Sequence, residues 1–167
     1  KSLGLELLDA QYVSRYGGNI RVYMGHGQAK SIPRTDETKF KDQFSKLRND
    51  IETWKINTNE WIFKHVEKHG KIRAKAFPGR AAILVRLLDL NESHISAVYE
   101  IKGSIKVGHY VPGTRIPILP EAELYELDNQ NAPILNLAWH LPGEVRANLA
   151  LNGYSGLVLD IKPMNAG

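Results

Sequence analysis

The sequence predicts an α/β fold in which a mostly parallel sheet is flanked by helices. Three observations carry that reading. From Lys71 onward, short β-prone runs alternate with helix-prone ones, and such alternation folds as strand–crossover–strand units. Ahead of them, residues 36–69 place apolar side chains at steps of three and four, the period of one long amphipathic helix. Ahead of that stand two β-prone runs on either side of a Gly-Gly-Asn turn, the pattern of a hairpin. The chain is therefore read as a hairpin and loop over 1–34, a long helix over 35–70 and a Rossmann-like core over 71–167. Together these form one domain, expected to be a piece of a longer protein because the chain starts on Lys1 close to a strand.

Each element has its own signal. Leu3–Val13 is apolar-rich and strand-like, Tyr16-Gly17-Gly18-Asn19 is a tight turn, and Ile20–Met24 alternates. Gly25–Pro33 reads as a polar loop. Thr35-Asp36-Glu37 supplies helix-capping chemistry. The stripe then runs Phe40, Phe44, Leu47, Ile51, Trp54, Thr58, Trp61 and His65, and Gly70 ends it. Asn57-Thr58-Asn59 is the place where this helix is expected to bend. Strands follow at Lys71–Ala76, Ile95–Ile101, Ala132–Ala138 and Leu157–Ile161, with helices at Ala81–Leu90, Pro120–Leu124 and Pro142–Leu151. The last of these helices carries Pro in its first turn. Lys106–Pro120 (K-V-G-H-Y-V-P-G-T-R-I-P-I-L-P) is too rich in Gly and Pro for a helix interior or a central strand and reads as a fixed loop.

Composition bounds the function. The chain has 167 residues, 43% hydrophobic and 24% charged, enough to bury a real core. Its net charge of +4 fits an anionic ligand, yet no basic run is long enough to read as a nucleic-acid patch. With no cysteine there is neither a disulfide nor a thiolate metal site. No apolar run is long enough to span a membrane and no signal peptide is seen, so a cytoplasmic location is expected. No glycine-rich dinucleotide loop and no Walker loop is present. His65 and His69 share a helix face at i and i+4 but have no evident third ligand, so no metal site is assigned and His69 is read as a helix-end cap.

Ligands of open parallel sheets sit outside the carboxyl ends of the strands. That rule selects the Phe77-Pro78-Gly79-Arg80 loop, the end of the next strand near Glu100–Lys106, the Lys106–Pro120 loop, and Trp139-His140. Lys75, Arg80, Lys106, His109, Arg115 and His140 are thereby expected to converge on one edge, either as a phosphate site or as ordinary surface cations beside tight turns. The amino end of the Ala81 helix adds free backbone N–H groups to the first alternative.

Several of these segments together resemble a known family. They are Tyr16-Gly17-Gly18-Asn19-Ile20-Arg21-Val22, the Phe77-Pro78-Gly79-Arg80-Ala81 turn, Lys106-x-Gly-His-Tyr-x-Pro-Gly-Thr-Arg-Ile-Pro-Ile118, and Leu137-Ala138-Trp139-His140-Leu141 with Glu144. The chain resembles the C-terminal domain of S-adenosylmethionine-dependent C-methyltransferases acting on nucleotide-linked keto sugars. That resemblance implies a Rossmann-like domain that helps hold a nucleotide-sugar or other phosphorylated keto substrate. The zinc module, the S-adenosylmethionine-binding domain and the catalytic cluster would lie upstream. It implies no cofactor and no catalytic residue in this chain, S-adenosylmethionine in the full-length enzyme, and a cytoplasmic transferase with neither nucleic acid nor membrane as partner. The upstream domain of the same polypeptide would be its partner. Gly17, Gly18 and Arg21 would border the cleft. Lys106, His109 and Tyr110 would line it, with Thr114 and Arg115 positioning the loop or touching phosphate. His140 would sit at a strand end. Two loops depart from the pattern: Lys75-Ala76-Phe77-Pro78-Gly79-Arg80 where members often carry Gly-Ala-x-x-Lys-Gly, and Lys102-Gly103-Ser104-Ile105 where they often carry Asp-x-Asn-Pro. The competing reading is a non-catalytic packing or oligomerisation module that works through the long helix.

Overall fold

The computed structural model describes residues 3–13, 19–28 and 37–161. It separates into two compact units, Lys1–Asp50 with Asn165–Gly167, and Ile51–Met164.

In the first unit the expected hairpin is present. β1 (Glu6–Val13) pairs antiparallel with β2 (Asn19–Gly25), from Glu6 opposite Gly25 to Val13 opposite Asn19, with a register irregularity between Leu7 and Asp9. Residues 14–18 lie outside the described residues, and Gly17 and Gly18 with them. Arg21 stands exposed on β2 opposite Gln11.

The long helix starts with a 3-10 turn at Glu37–Lys39 and continues as α1 (Phe40–His69), and the boundary between the units falls within it. It is unbroken through Asn57–Asn59, where a bend was expected. Gly70, at φ +81°, ends it and donates its N–H to the Val66 carbonyl at 2.9 Å. The buried stripe of residues 51–69 differs from the expected one. Trp54 and Ile62 are buried with Val66 packed beside them, whereas Trp61 is 37% exposed. At a period of 3.6 residues, steps to 61 and to 62 are both compatible with one face. Trp61 stacks on His65 at the rim, with ring centroids 6.1 Å apart, and leaves the core position to Ile62.

The remainder of the second unit is the predicted parallel layer. It contains β3 (Ile72–Lys75), α2 (Ala81–Leu87), β4 (Ile95–Glu100), β5 (Ile118–Pro120), α3 (Glu121–Tyr125), β6 (Ile134–Asn136), α4 (Pro142–Leu151) and β7 (Val158–Asp160). The sheet order is β5-β4-β3-β6-β7, and every neighbouring pair is parallel. Trp54 and Ile62 of α1 and Ala81, Leu84 and Val85 of α2 pack on Ile72, Ala74, Ile95 and Leu135 of one sheet face. Leu124 of α3 and Val145 and Leu149 of α4 pack on Ala97, Tyr99 and Ile134 of the other. Complete burial of each such Ile or Leu contributes about 1.5–3 kcal/mol.

Two boundaries differ from expectation. α2 stops at Leu87 because Asp89 takes φ 51°, which folds Leu90 back so that its N–H reaches the Val85 carbonyl at 3.0 Å. Ile118–Pro120, read as the end of a loop, forms edge strand β5 on β4. Proline is tolerated there because an edge strand has only one neighbour to satisfy.

The strand order sets a switch point, the place where open α/β sheets bind their ligands. The chain builds outward from β3 to β4 and β5, then returns to place β6 on the other side of β3. Between β3 and β6 the crossovers therefore depart in opposite directions and open a crevice at the carboxyl ends of these strands.

Candidate functional site

β3 ends on Lys75, and Ala76 turns the chain at φ 63°. A side chain in this left-handed region costs about 1–2 kcal/mol, so the turn is held by its surroundings. The Ala76 N–H is fixed on the Tyr99 carbonyl at 2.9 Å. The Phe77 N–H donates to the buried Glu100 carboxylate at the end of β4. The Phe77 carbonyl accepts from the Lys106 ammonium, which also stands 3.8 Å from Glu100 and 6.0 Å from the Phe77 ring centroid. Glu100 and Lys106 thus tie the loop after β4 to the loop after β3, two segments on one edge of the sheet. Lys106 remains 40% exposed at its side chain and has three N–H bonds to offer, so it presents donors to that edge while it clamps.

Across the crevice, the turn after β6 carries Trp139 and His140. Trp139 packs against the α1/α2-side core and meets the His140 ring edge-on, centroids 5.6 Å apart. Burial holds the His140 imidazole below the ordinary histidine range, the positive charge of Arg80 lowers it further, and Glu144 opposes both. Arg80, from the loop after β3, Glu144, from the first turn of α4, and His140 therefore share one electrostatic neighbourhood at the switch point. At neutral pH the imidazole is uncharged there. α2, which Arg80 precedes, has only seven residues and no side-chain cap, so the fixed charges outweigh its dipole.

Lys75 does not join this group. It is 2% exposed, lies on the α3/α4 side of the sheet and is bonded to Glu121 at 2.5 Å. Glu121 borders a second feature of the carboxyl edge, an open cavity of about 630 Å³ lined by Lys102, Gly103, Ser104, Val107, Pro120, Glu121, Ala122, Tyr125 and Asn152. Burial first, and the Glu121 charge second, push the Tyr125 hydroxyl up to about 12. It is a neutral donor at any working pH and sits 3.0 Å from the Asn148 side-chain carbonyl.

The Lys106–Pro120 segment does not stay at one edge. Gly108 donates to Ile118 O (2.9 Å), Ile118 to His109 O (2.8 Å) and Val111 to Ile116 O (2.9 Å), with an antiparallel bridge between Tyr110 and Pro117. The segment therefore runs down beside β5, turns, and returns as β5. Lys106 is at its top, the exposed His109 and Tyr110 are on its flank, and Thr114 and Arg115 are at the bottom. The Thr114 hydroxyl is spent inside the turn, donating to Val111 O at 2.9 Å and accepting from Ile116 N at 3.1 Å. The Arg115 N–H donates to the Glu92 carboxylate, ahead of β4, at 3.0 Å. That places Arg115 at the amino ends of the strands, opposite Arg80 and His140. Of the six residues expected to converge, Arg80, Lys106 and His140 share the carboxyl edge, Lys75 is sealed beneath it, His109 flanks the sheet and Arg115 is at the far end.

The residues that sequence reasoning passed over are carboxylates and amides. Glu100 and Glu121 ion-pair with the two lysines. Asn136, completely buried, donates to Asp160 at 2.7 Å and accepts from Ala138 N at 2.9 Å, which shapes the turn that carries Trp139 and His140. A charged or amide residue closing an apolar strand, as in V-Y-E and I-L-N, was the available signal.

A five-stranded parallel sheet covered on both faces, with basic side chains at its switch point, defines an α/β domain of the doubly wound kind. The model of the C-methyltransferase C-terminal domain matches residues 14–156, and the chain belongs to that family. A comparison with curated proteins returns no match. No helix among the described residues is long and apolar enough to cross a membrane, and among them no group of three His, Cys, Asp or Glu residues is placed to hold a metal ion.

Proposed function

We propose that this chain is the substrate-side domain of an S-adenosylmethionine-dependent C-methyltransferase, and that it holds a nucleotide-linked keto sugar or a related phosphorylated keto substrate. The observation that carries the reading is that Arg80, Lys106 and His140 all stand at the carboxyl edge of the sheet in a domain of this family. Arg80 and Lys106 supply the charge a diphosphate needs, and guanidinium and ammonium complement each other there, one as a planar fork and one as a point charge. The cavity beside Lys102–Val107 and α3 is large enough for a sugar or base, with Tyr125 and Ser104 as polar contacts. The methyl donor and the base that removes the proton next to the keto group belong to upstream parts of the same cytoplasmic polypeptide. This domain contributes orientation and binding energy only.

Thermal titration tests this. Nucleotide-linked keto sugars and nucleoside diphosphates raise the melting temperature with concentration, and S-adenosylmethionine does not. Arg80→Gln weakens the nucleotide response about tenfold, the scale of one lost charge-assisted contact. A response to S-adenosylmethionine alone, or none to any nucleotide, overturns the reading. The packing-module alternative is favoured by the exposed Ile56, Trp61 and Phe63 of α1, and it predicts self-association in sedimentation without any nucleotide response.

A further inference from the structure

The opposite end of the same two strands holds a second basic cavity. It has a volume of about 470 Å³ and is lined by His65 and His69 of α1, Lys71, Ile72 and Arg73 at the start of β3, and the 129–133 turn that enters β6. Its ionisable lining is basic throughout, and Asn129 and Asn131 add amides. Arg73 is held in place: its guanidinium donates to the Asn129 carbonyl. The planar fork is thus oriented before any ligand arrives, which lowers the entropy lost on binding. His65 and His69 face each other with ring centroids 5.0 Å apart. Two fixed cations, two imidazoles and two amides around a space of this size match the donor-rich, charge-dense surroundings of an oxyanion. Two features work against it. The carboxyl end of α1 brings partial negative charge, although Gly70 covers the Val66 carbonyl. Lys71 also shares its charge with Glu92. Neither equals the full charge of Arg73 and Lys71 together.

We propose that this cavity at the amino ends of β3 and β6 is a second site, for a phosphate or pyrophosphate group, independent of the substrate crevice at the carboxyl ends. Its occupant carries a phosphoryl group, either free or as part of a small metabolite. Binding strengthens as the pH falls and the His65 imidazole takes up a proton. The titratable and charged groups facing it are His69, Lys71 and Arg73, while Trp61 covers His65 and the 129–133 turn offers only amides and backbone. Burial and the His69 charge both hold His65 below the ordinary histidine range, so an anion has a large effect on its titration.

The chain's histidines make the test site-resolved. His65 and His69 report on this cavity, and His109 and His140 report on the other edge and flank. The full chain is titrated with inorganic phosphate and with pyrophosphate while the imidazole proton resonances are followed by NMR. Saturable shifts of His65 and His69 are expected, with a raised His65 pKa. They should occur at several-fold lower ligand concentration at pH 6 than at pH 8, and Arg73→Gln and Lys71→Gln should each weaken them about tenfold. Arg80→Gln should leave them unchanged, which separates this site from the substrate crevice. If His65 and His69 do not shift, or shift equally in wild type and both cavity variants, the site does not exist. Lys71 is exposed, so its variant stays informative even if loss of Arg73 loosens the turn at Asn129.

Discussion

Lys75 shows how a residue that looks like a ligand group becomes part of the frame. Sequence position places it at a strand end, where a lysine often meets phosphate, but the pleat turns it under the sheet to Glu121. Removing one member of such a buried pair leaves the other charge without its partner, and the penalty is on the order of 3 kcal/mol. Lys75→Met should therefore lower stability by about that much in urea unfolding, whereas Lys75→Met with Glu121→Leu should recover most of it. If the double variant is no better than the single one, the lysine stem is the stabilising element and the ion pair is not. The same distinction separates Lys106 from Lys75. Both bond a glutamate's neighbourhood at the carboxyl edge, yet only Lys106 keeps an exposed ammonium. Alternation along β3 decides this for Lys75, and sequence reasoning that counts cations without assigning faces does not detect it.

At the scale of elements, the segment from Lys106 to β5 explains both what was legible and what was not. Its Gly and Pro content gave a fixed, non-helical shape, and that is what folds. Its length hid the fact that it travels the full height of the sheet, because backbone pairing between 108–111 and 116–118 has no side-chain signature. The hydrogen bonds it forms satisfy the open side of β5, an edge that would otherwise be free to pair with other chains. Gly113, at φ +78°, makes the turn possible, and a Cβ there would meet nothing within 4 Å. Gly113→Ala should thus cost about 1–2 kcal/mol from backbone conformation alone. Amide exchange at Gly108 and Ile118 should accelerate in proportion, since those bonds depend on the turn. By contrast, α4 was legible to the residue, and β3, β4, β6 and β7 to within one or two residues at each end, because apolar runs and a helix-starting proline are local signals. β5 and the early end of α2 were not, since each is set by a partner distant in the chain.

The second unit as a whole has ionisable groups at both ends of its central strands, and this gives it a defined response to pH. His140 at the carboxyl edge and His65 at the amino edge are both held below the ordinary histidine range of about 6.5, each by burial first. A depressed histidine pKa means that the unfolded chain takes up protons before the folded one does. The corresponding stability is complete above about pH 6.5 and is lost as the pH falls through the two folded-state values. Two carboxylates of this unit, Glu92 beside the Arg115 N–H and Glu60 beside Lys64, are held below their usual range and titrate in a lower window, so the two effects separate. Melting temperature should accordingly fall between pH 7 and pH 5. His65→Gln and His140→Gln should each flatten part of that slope, additively, because they sit at opposite ends of the sheet. Phosphate or nucleotide at either end should reverse the trend for its own histidine and not for the other, because an anion raises the pKa of the imidazole it faces. A slope unchanged in the double variant would place the acid sensitivity elsewhere, while a slope removed by only one of them would identify the edge whose burial dominates.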